Sequence, residues 1–106
     1  MSFDEARSHS LRPQALADIE DIWRYTAETW SITQADRYTD VLARVFETIA
    51  AFPTLARERP EFDPPVRIHT HERHLIVYVL ADDRVVILRV LGGQQDWVAI
   101  LTAADS

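Results

Sequence analysis

At 106 residues the chain is long enough for one domain with one core. Its 47% hydrophobic content is ordinary for a globular fold. With no cysteine, a disulfide framework and thiolate ligands are excluded. A net charge of −6, with arginine supplying all eleven basic residues, opposes non-specific attraction to nucleic acid. The longest apolar run, Leu75 to Ala81, falls well short of the roughly 20 residues that span a bilayer. The start, MSFDEARSHS, lacks the basic and apolar regions of a signal peptide. These features predict a single cytoplasmic domain over residues 1–106.

Negative charge is concentrated early. Residues 1–63 carry twelve acids against seven arginines, whereas residues 64–106 carry five acids against four arginines and hold three of the four histidines. Most of the negative charge therefore falls in the helical half, where acidic helix faces keep the protein soluble.

A first helix is predicted from Pro13, which is tolerated in an opening helical turn. Leu16, Ile19, Ile22, Trp23, Ala27 and Trp30 recur at helical spacing and form its predicted buried stripe. Ser31 stands three residues before Gln34, the spacing of a capping box, so a second helix starts there. Its stripe is Tyr38, Val41, Leu42, Val45, Ile49 and Phe52, and Pro53 ends it. The short break between the two favours an antiparallel helical hairpin. The proline-rich PTLARERPEFDPP, residues 53–65, reads as an irregular connector.

From Val66 the period falls to two. VRIHTH, HLIVYVLA and RVVILRVL read as successive strands, joined by tight turns at Glu72-Arg73 and Asp82-Asp83. A two-residue turn at each site sets Leu80 opposite Val85, Tyr78 opposite Ile87, Ile76 opposite Arg89, Arg67 beside Tyr78 and His69 beside Ile76. Leu75, Val77, Val79, Val86, Leu88 and Val90, with Val66 and Ile68, then share an aliphatic face on which the helices are expected to dock. The other face, bearing Arg67, His69, His71, His74, Tyr78 and Arg89, is expected to stay open. A one-residue slip would scramble this division. A short strand around Ser8 to Arg12 would add an edge.

Few residues carry a chemical signature. His69, His71 and His74 suggest a metal, but zinc needs three or four ligands, there is no cysteine and Glu72 is the only nearby acid; exposed strand histidines outweigh the metal. Arg67 and Arg89 could clamp a phosphate, with a histidine moving the proton in RNA cleavage. Pairing with carboxylates of this chain or of a partner outweighs that reading, because a ribonuclease surrounds its site with more positive charge. Trp97 is either a cover for the sheet edge or an interface anchor. Gly92-Gly93 lacks a phosphate-binding pattern, no nucleophile constellation is present, and no cofactor is expected.

Taken together, RPQALADIEDIWRYTAETW, QADRYTDVLARVFETIAAFP, HLIVYVL and ILRVLGGQQD resemble the ParE toxins of the RelE/ParE superfamily, from Leu11 to about Asp96. The resemblance implies an α+β fold in which an N-terminal antiparallel helical hairpin packs on one face of a small antiparallel sheet. It implies a type II toxin held in a hetero-oligomer by a ParD-type antitoxin and directed at DNA gyrase, as a binding protein without catalytic residues. Arg67, Arg73, Tyr78, Arg89 and Trp97 are the expected partner contacts, and direct nucleic-acid binding is not expected. The alternative is a RelE-like ribosome-dependent mRNA endonuclease. The chain departs from the family pattern where Gly92 occupies a usual histidine position and Ala56 a usual glycine position; Asp96 keeps the family's aspartate.

Overall fold

The computed structural model describes residues 9–103. In chain order the elements are β1 (His9–Leu11), α1 (Pro13–Thr29), α2 (Ile32–Ala51), β2 (Glu58–Arg59), β3 (Val66–His71), β4 (His74–Ala81), β5 (Arg84–Gly92) and α3 (Trp97–Ala103). The strand expected around Ser8 to Arg12 is β1; Ser8 and the polar stretch before it lie outside the described residues.

Local sequence sets the helix ends. Pro13 opens α1. Ser31 Oγ accepts the Gln34 N–H at 3.0 Å and caps α2, satisfying one of the amides a helix start leaves free. Phe52 closes α2 immediately before Pro53. The two helices are tied side by side where Trp23 Nε1 donates to Asp36 Oδ1 at 2.9 Å.

The sheet order is β1-β5-β4-β3-β2. The expectation of purely antiparallel pairing holds for β2 to β5, but β1 runs parallel to β5, so the sheet is mixed. Asp82 and Asp83 both take positive φ, 55° and 64°, which gives a two-residue hairpin turn whose twist matches the strands. Leu80 faces Val85, Tyr78 faces Ile87, Arg67 faces Tyr78 and His69 faces Ile76, as the turn positions predict. A β-bulge at Val77/Tyr78 breaks the pattern: Val77 faces Arg89 and Ile76 faces Val90. The extra residue reverses the alternation of β5 beyond Leu88.

The helices dock on the face opposite to the one expected. Ile76, Tyr78, Val85, Ile87 and, past the bulge, Val90 pack with Ala15, Leu42, Phe46 and Ile49. Arg67, Tyr78 and His74 on this face find partners in the connector and the helical layer, so they do not keep it open. Val66, Val77 and Leu91 form a second core with Phe62 and Leu101, flanked by Ile68, Val79, Leu88, Trp97 and Ile100. This aliphatic face is covered by α3, which the sequence reading did not anticipate. The seven-residue α3 packs Leu101 against Val66, Val77 and Leu91, and Ile68, Val79 and Leu88 around this patch stay partly exposed.

The first-helix stripe also shifts. Ala15 is fully buried, while Leu16 is 48% and Trp30 67% exposed. A small residue at the contact lets α1 approach the sheet closely, and Trp30, just past the last turn, extends beyond the sheet it was expected to cover.

Candidate partner-binding groove

The face reversal redistributes the five expected contact residues. Tyr78 is 1% exposed, and its hydroxyl donates to the Pro53 carbonyl at 2.6 Å. Arg67 Nη1 donates to the Ala56 carbonyl at 2.6 Å and so pins the connector to the sheet. Arg89 forms a two-point ion pair with Asp18, through Nε at 2.8 Å and Nη2 at 3.0 Å. Trp97 is half-buried against Phe62, with ring centroids 6.1 Å apart, and the Arg59 guanidinium lies 5.8 Å over its ring. Only Arg73 is exposed, and among the described residues its guanidinium has no hydrogen-bonding partner.

Arg73 borders an open groove of about 860 Å³. One wall is the end of α1 with Tyr25 and Trp30; a second is the start of α2 with Gln34 and Arg37; the third is the β3–β4 turn and the exit of β5 through Gly92-Gly93. Tyr25 is 64% exposed, and with Trp30 it lines the groove together with Arg37 and Arg73, two guanidiniums that have no hydrogen-bonding partner among the described residues. The floor is tied down by three bonds. Gly93 N–H donates to the Arg73 carbonyl at 2.7 Å, Gly92 N–H donates to Gln95 Oε1 at 2.6 Å, and Tyr38 Oη lies 2.6 Å from His74 Nδ1.

The Tyr38–His74 pair is neutral. Burial, and next the Glu72 carboxylate, push the Tyr38 hydroxyl up to about 12, so it is the donor. Burial, then the neighbouring His71 ring, pull His74 below the usual imidazole value, leaving its single proton on Nε2. His71 pairs with His74 across the hairpin, and its Nε2 is buried 3.7 Å from Glu72, beyond hydrogen-bonding distance. Among the described residues no three His, Asp or Glu side chains converge as a metal site. The phosphate clamp of Arg67 and Arg89 is not assembled, because each guanidinium is engaged within the chain.

Tyr25, Trp30 and Arg37 were not read as site residues. The available signal was positional: Trp30 immediately precedes the Ser31 cap, and a stripe residue at a helix end has no following turn to cover it.

The residue Asp96 has a structural role. Its carbonyl accepts Ile100 N–H at 3.0 Å and its carboxylate accepts Ala99 N–H at 3.3 Å, which starts α3.

Comparison with known proteins accords with this architecture. The family described as ParE toxin of type II toxin-antitoxin system, parDE, matches residues 10–97. Toxin ParE1 of Mycobacterium tuberculosis is 31% identical over 87 residues, covering 81% of this chain and 89% of the relative. Toxin ParE3 of Caulobacter vibrioides is 30% identical over 84 residues, covering 79% and 84%. A chain from the chromosomal ParDE TA system of P. aeruginosa shares the fold, with a TM-score of 0.70 at 18% identity over 80% of this chain and 94% of that one. The matched span runs from β1 to the start of α3, and on that basis the chain belongs to the ParE toxin family of type II toxin–antitoxin systems.

Proposed function

We propose that this ParE-family toxin is neutralised by a ParD-type antitoxin that occupies the groove beside Arg73, and that the free toxin acts in the cytoplasm by inhibiting DNA gyrase. The observation that carries the antitoxin site is the exposed pair Tyr25 and Trp30 sharing a groove with Arg37 and Arg73, which have no hydrogen-bonding partner among the described residues. Aromatic and arginine side chains that form no bond within their own chain are the residue types most enriched at interface hot spots. An amphipathic antitoxin segment would place apolar residues on the two rings and carboxylates on the two guanidiniums. Of the five contacts expected from sequence, the proposal retains Arg73.

The target rests on the family assignment, and the test separates it from the groove. Co-purification with the antitoxin encoded beside this chain's gene should give a tight complex. Trp30→Ser or Arg73→Glu should weaken it by about tenfold or more, the usual scale of a hot spot. Purified toxin should inhibit gyrase supercoiling, and added antitoxin should relieve the inhibition. Unchanged affinity in both variants would remove the groove assignment; intact supercoiling with toxin in excess would remove gyrase as the target.

A further inference from the structure

Gly92 is the last residue of β5 and lines the groove beside Arg73. Glycine weakens a strand, and where it stands in one it marks a bulge, a bend that needs positive φ, or the close approach of another group. The first two do not apply. The bulge of this strand pair lies at Val77/Tyr78, and neither of the chain's two glycines has positive φ. Close approach by the described chain does not apply either. The three nearest neighbours of a Cβ built on Gly92 would all be atoms of the flexible Gln95 side chain, at 3.4 to 3.9 Å, which is ordinary contact. Gly93 differs, because its nearest neighbour would be the fixed Arg73 carbonyl. Both ends of the described chain are elsewhere. His9 pairs with Val85, about 23 Å back along β5 at the usual rise of a strand, and α3 packs Leu101 on the opposite face.

A side chain at position 92 would project into the groove. Gly92 is the cross-strand partner of His74 and follows Val90 by two residues, so it shares their face of the sheet. Both of those residues line the groove. The main-chain edge at this end of β5, by contrast, is closed. Val90 N–H donates to Asp18, Gly92 N–H to Gln95 Oε1 and Gly93 N–H to the Arg73 carbonyl. A partner segment finds no free donor there with which to add a strand, and meets the bare α-carbon of Gly92 from the groove.

We propose that Gly92 sets the partner specificity of the groove, because the antitoxin segment packs directly over its α-carbon in space that any other residue would fill. The inference rests on the groove reading and adds to it the point of closest approach.

The test uses the full chain and the antitoxin encoded beside its gene, and sets Gly92→Ala and Gly92→Leu against Trp30→Ser and Arg73→Glu. Gly92→Leu should lower the affinity about tenfold or more by overfilling the contact, and Gly92→Ala should lower it less. Both should melt within about 3 °C of the parent, since only the Gln95 side chain has to give way. In the complex of the unsubstituted chain, the Gly92 α-protons should show intermolecular nuclear Overhauser contacts to the antitoxin, a readout that needs no variant to fold. Either unchanged affinity in Gly92→Leu or the absence of those contacts would overturn the inference. If Trp30→Ser or Arg73→Glu weakened binding in the same series, the groove reading would survive that failure. Contacts at Gly92 with a size-dependent loss of affinity would support the inference even if neither of those two variants weakened binding, and the groove reading alone would then fall.

Discussion

Asp18 on α1 accepts three hydrogen bonds from two consecutive residues of β5: Arg89 Nε at 2.8 Å, Arg89 Nη2 at 3.0 Å and Val90 N–H at 2.8 Å. This cluster lies at the bulge, where β1 has already ended at Leu11 and leaves the outer edge of β5 without a strand neighbour. One carboxylate therefore substitutes for the missing strand and neutralises a guanidinium. The Asp18 side chain is 12% exposed and that of Arg89 22%, so the pair is largely withdrawn from water. Removing either partner leaves the other charged and poorly solvated. Asp18→Ala and Arg89→Ala should each cost about 3 kcal/mol. The double variant should cost clearly less than the sum, and urea unfolding of the four proteins in the cycle measures this coupling.

Tyr78 and Arg73 should separate structure from recognition. In Tyr78→Phe the Pro53 carbonyl loses its donor, with an expected loss of about 1 kcal/mol. Arg73→Ala removes an exposed side chain with no partner among the described residues, and should leave stability within about 0.5 kcal/mol. The midpoints of denaturant unfolding check both, and antitoxin affinity should follow the reverse order.

Acid should destabilise the protein through its histidines. Burial lowers the folded-state values of His9, His69 and His74. At pH 8 these rings are neutral in both the folded and the unfolded chain. As the pH falls below about 6.5 the unfolded chain takes up protons first, so stability declines until the folded values are passed. Thermal melts at pH 8, 6.5 and 5 should show a progressive fall in Tm. Replacing His74 with Gln should flatten that fall by its share.

Leu101→Ala should report on the layer the sequence reading missed. Leu101 is 7% exposed in the core between α3 and the sheet, and its truncation should cost about 2–4 kcal/mol. Far-UV circular dichroism at the thermal midpoint checks the size of the loss.

Gly92 should accept a side chain. Its φ is not positive, and an added Cβ would meet the flexible Gln95 side chain no closer than 3.4 Å. Gly92→His, which restores the usual family residue, should therefore fold with a Tm close to the parent. Growth arrest in cells expressing the two forms without antitoxin then reads out what that side chain contributes to toxicity.

Local and near-local chemistry was legible in the chain. Pro13 and Ser31 mark the helix starts, Pro53 the end of the hairpin, and Asp82-Asp83 a turn tight enough to set most of the β4–β5 register. These signals are short-range and act through backbone conformation, so they need no knowledge of the rest of the fold. The bulge was not legible, because nothing in ILRV distinguishes an inserted residue from regular alternation until Asp18 arrives to use the freed Val90 amide. Nor was the docking face. Both faces of the sheet are apolar; Arg67 and His74 find their partners on the helix face, while the bulge turns Arg89 opposite Val77, at the edge where Asp18 reaches it. Ala56, Tyr38 and Asp18 supply those partners from 11, 36 and 71 positions away in sequence. The sequence by itself determined the two long helices, the strands from Val66 to Gly92, their order and the family resemblance, but not β2 within the connector or α3. Tertiary structure alone decided which arginines are consumed in holding the layers together and which, like Arg73, remain for a partner. Desolvating a guanidinium without a counter-group is costly, and only the assembled layers determine where the counter-groups lie.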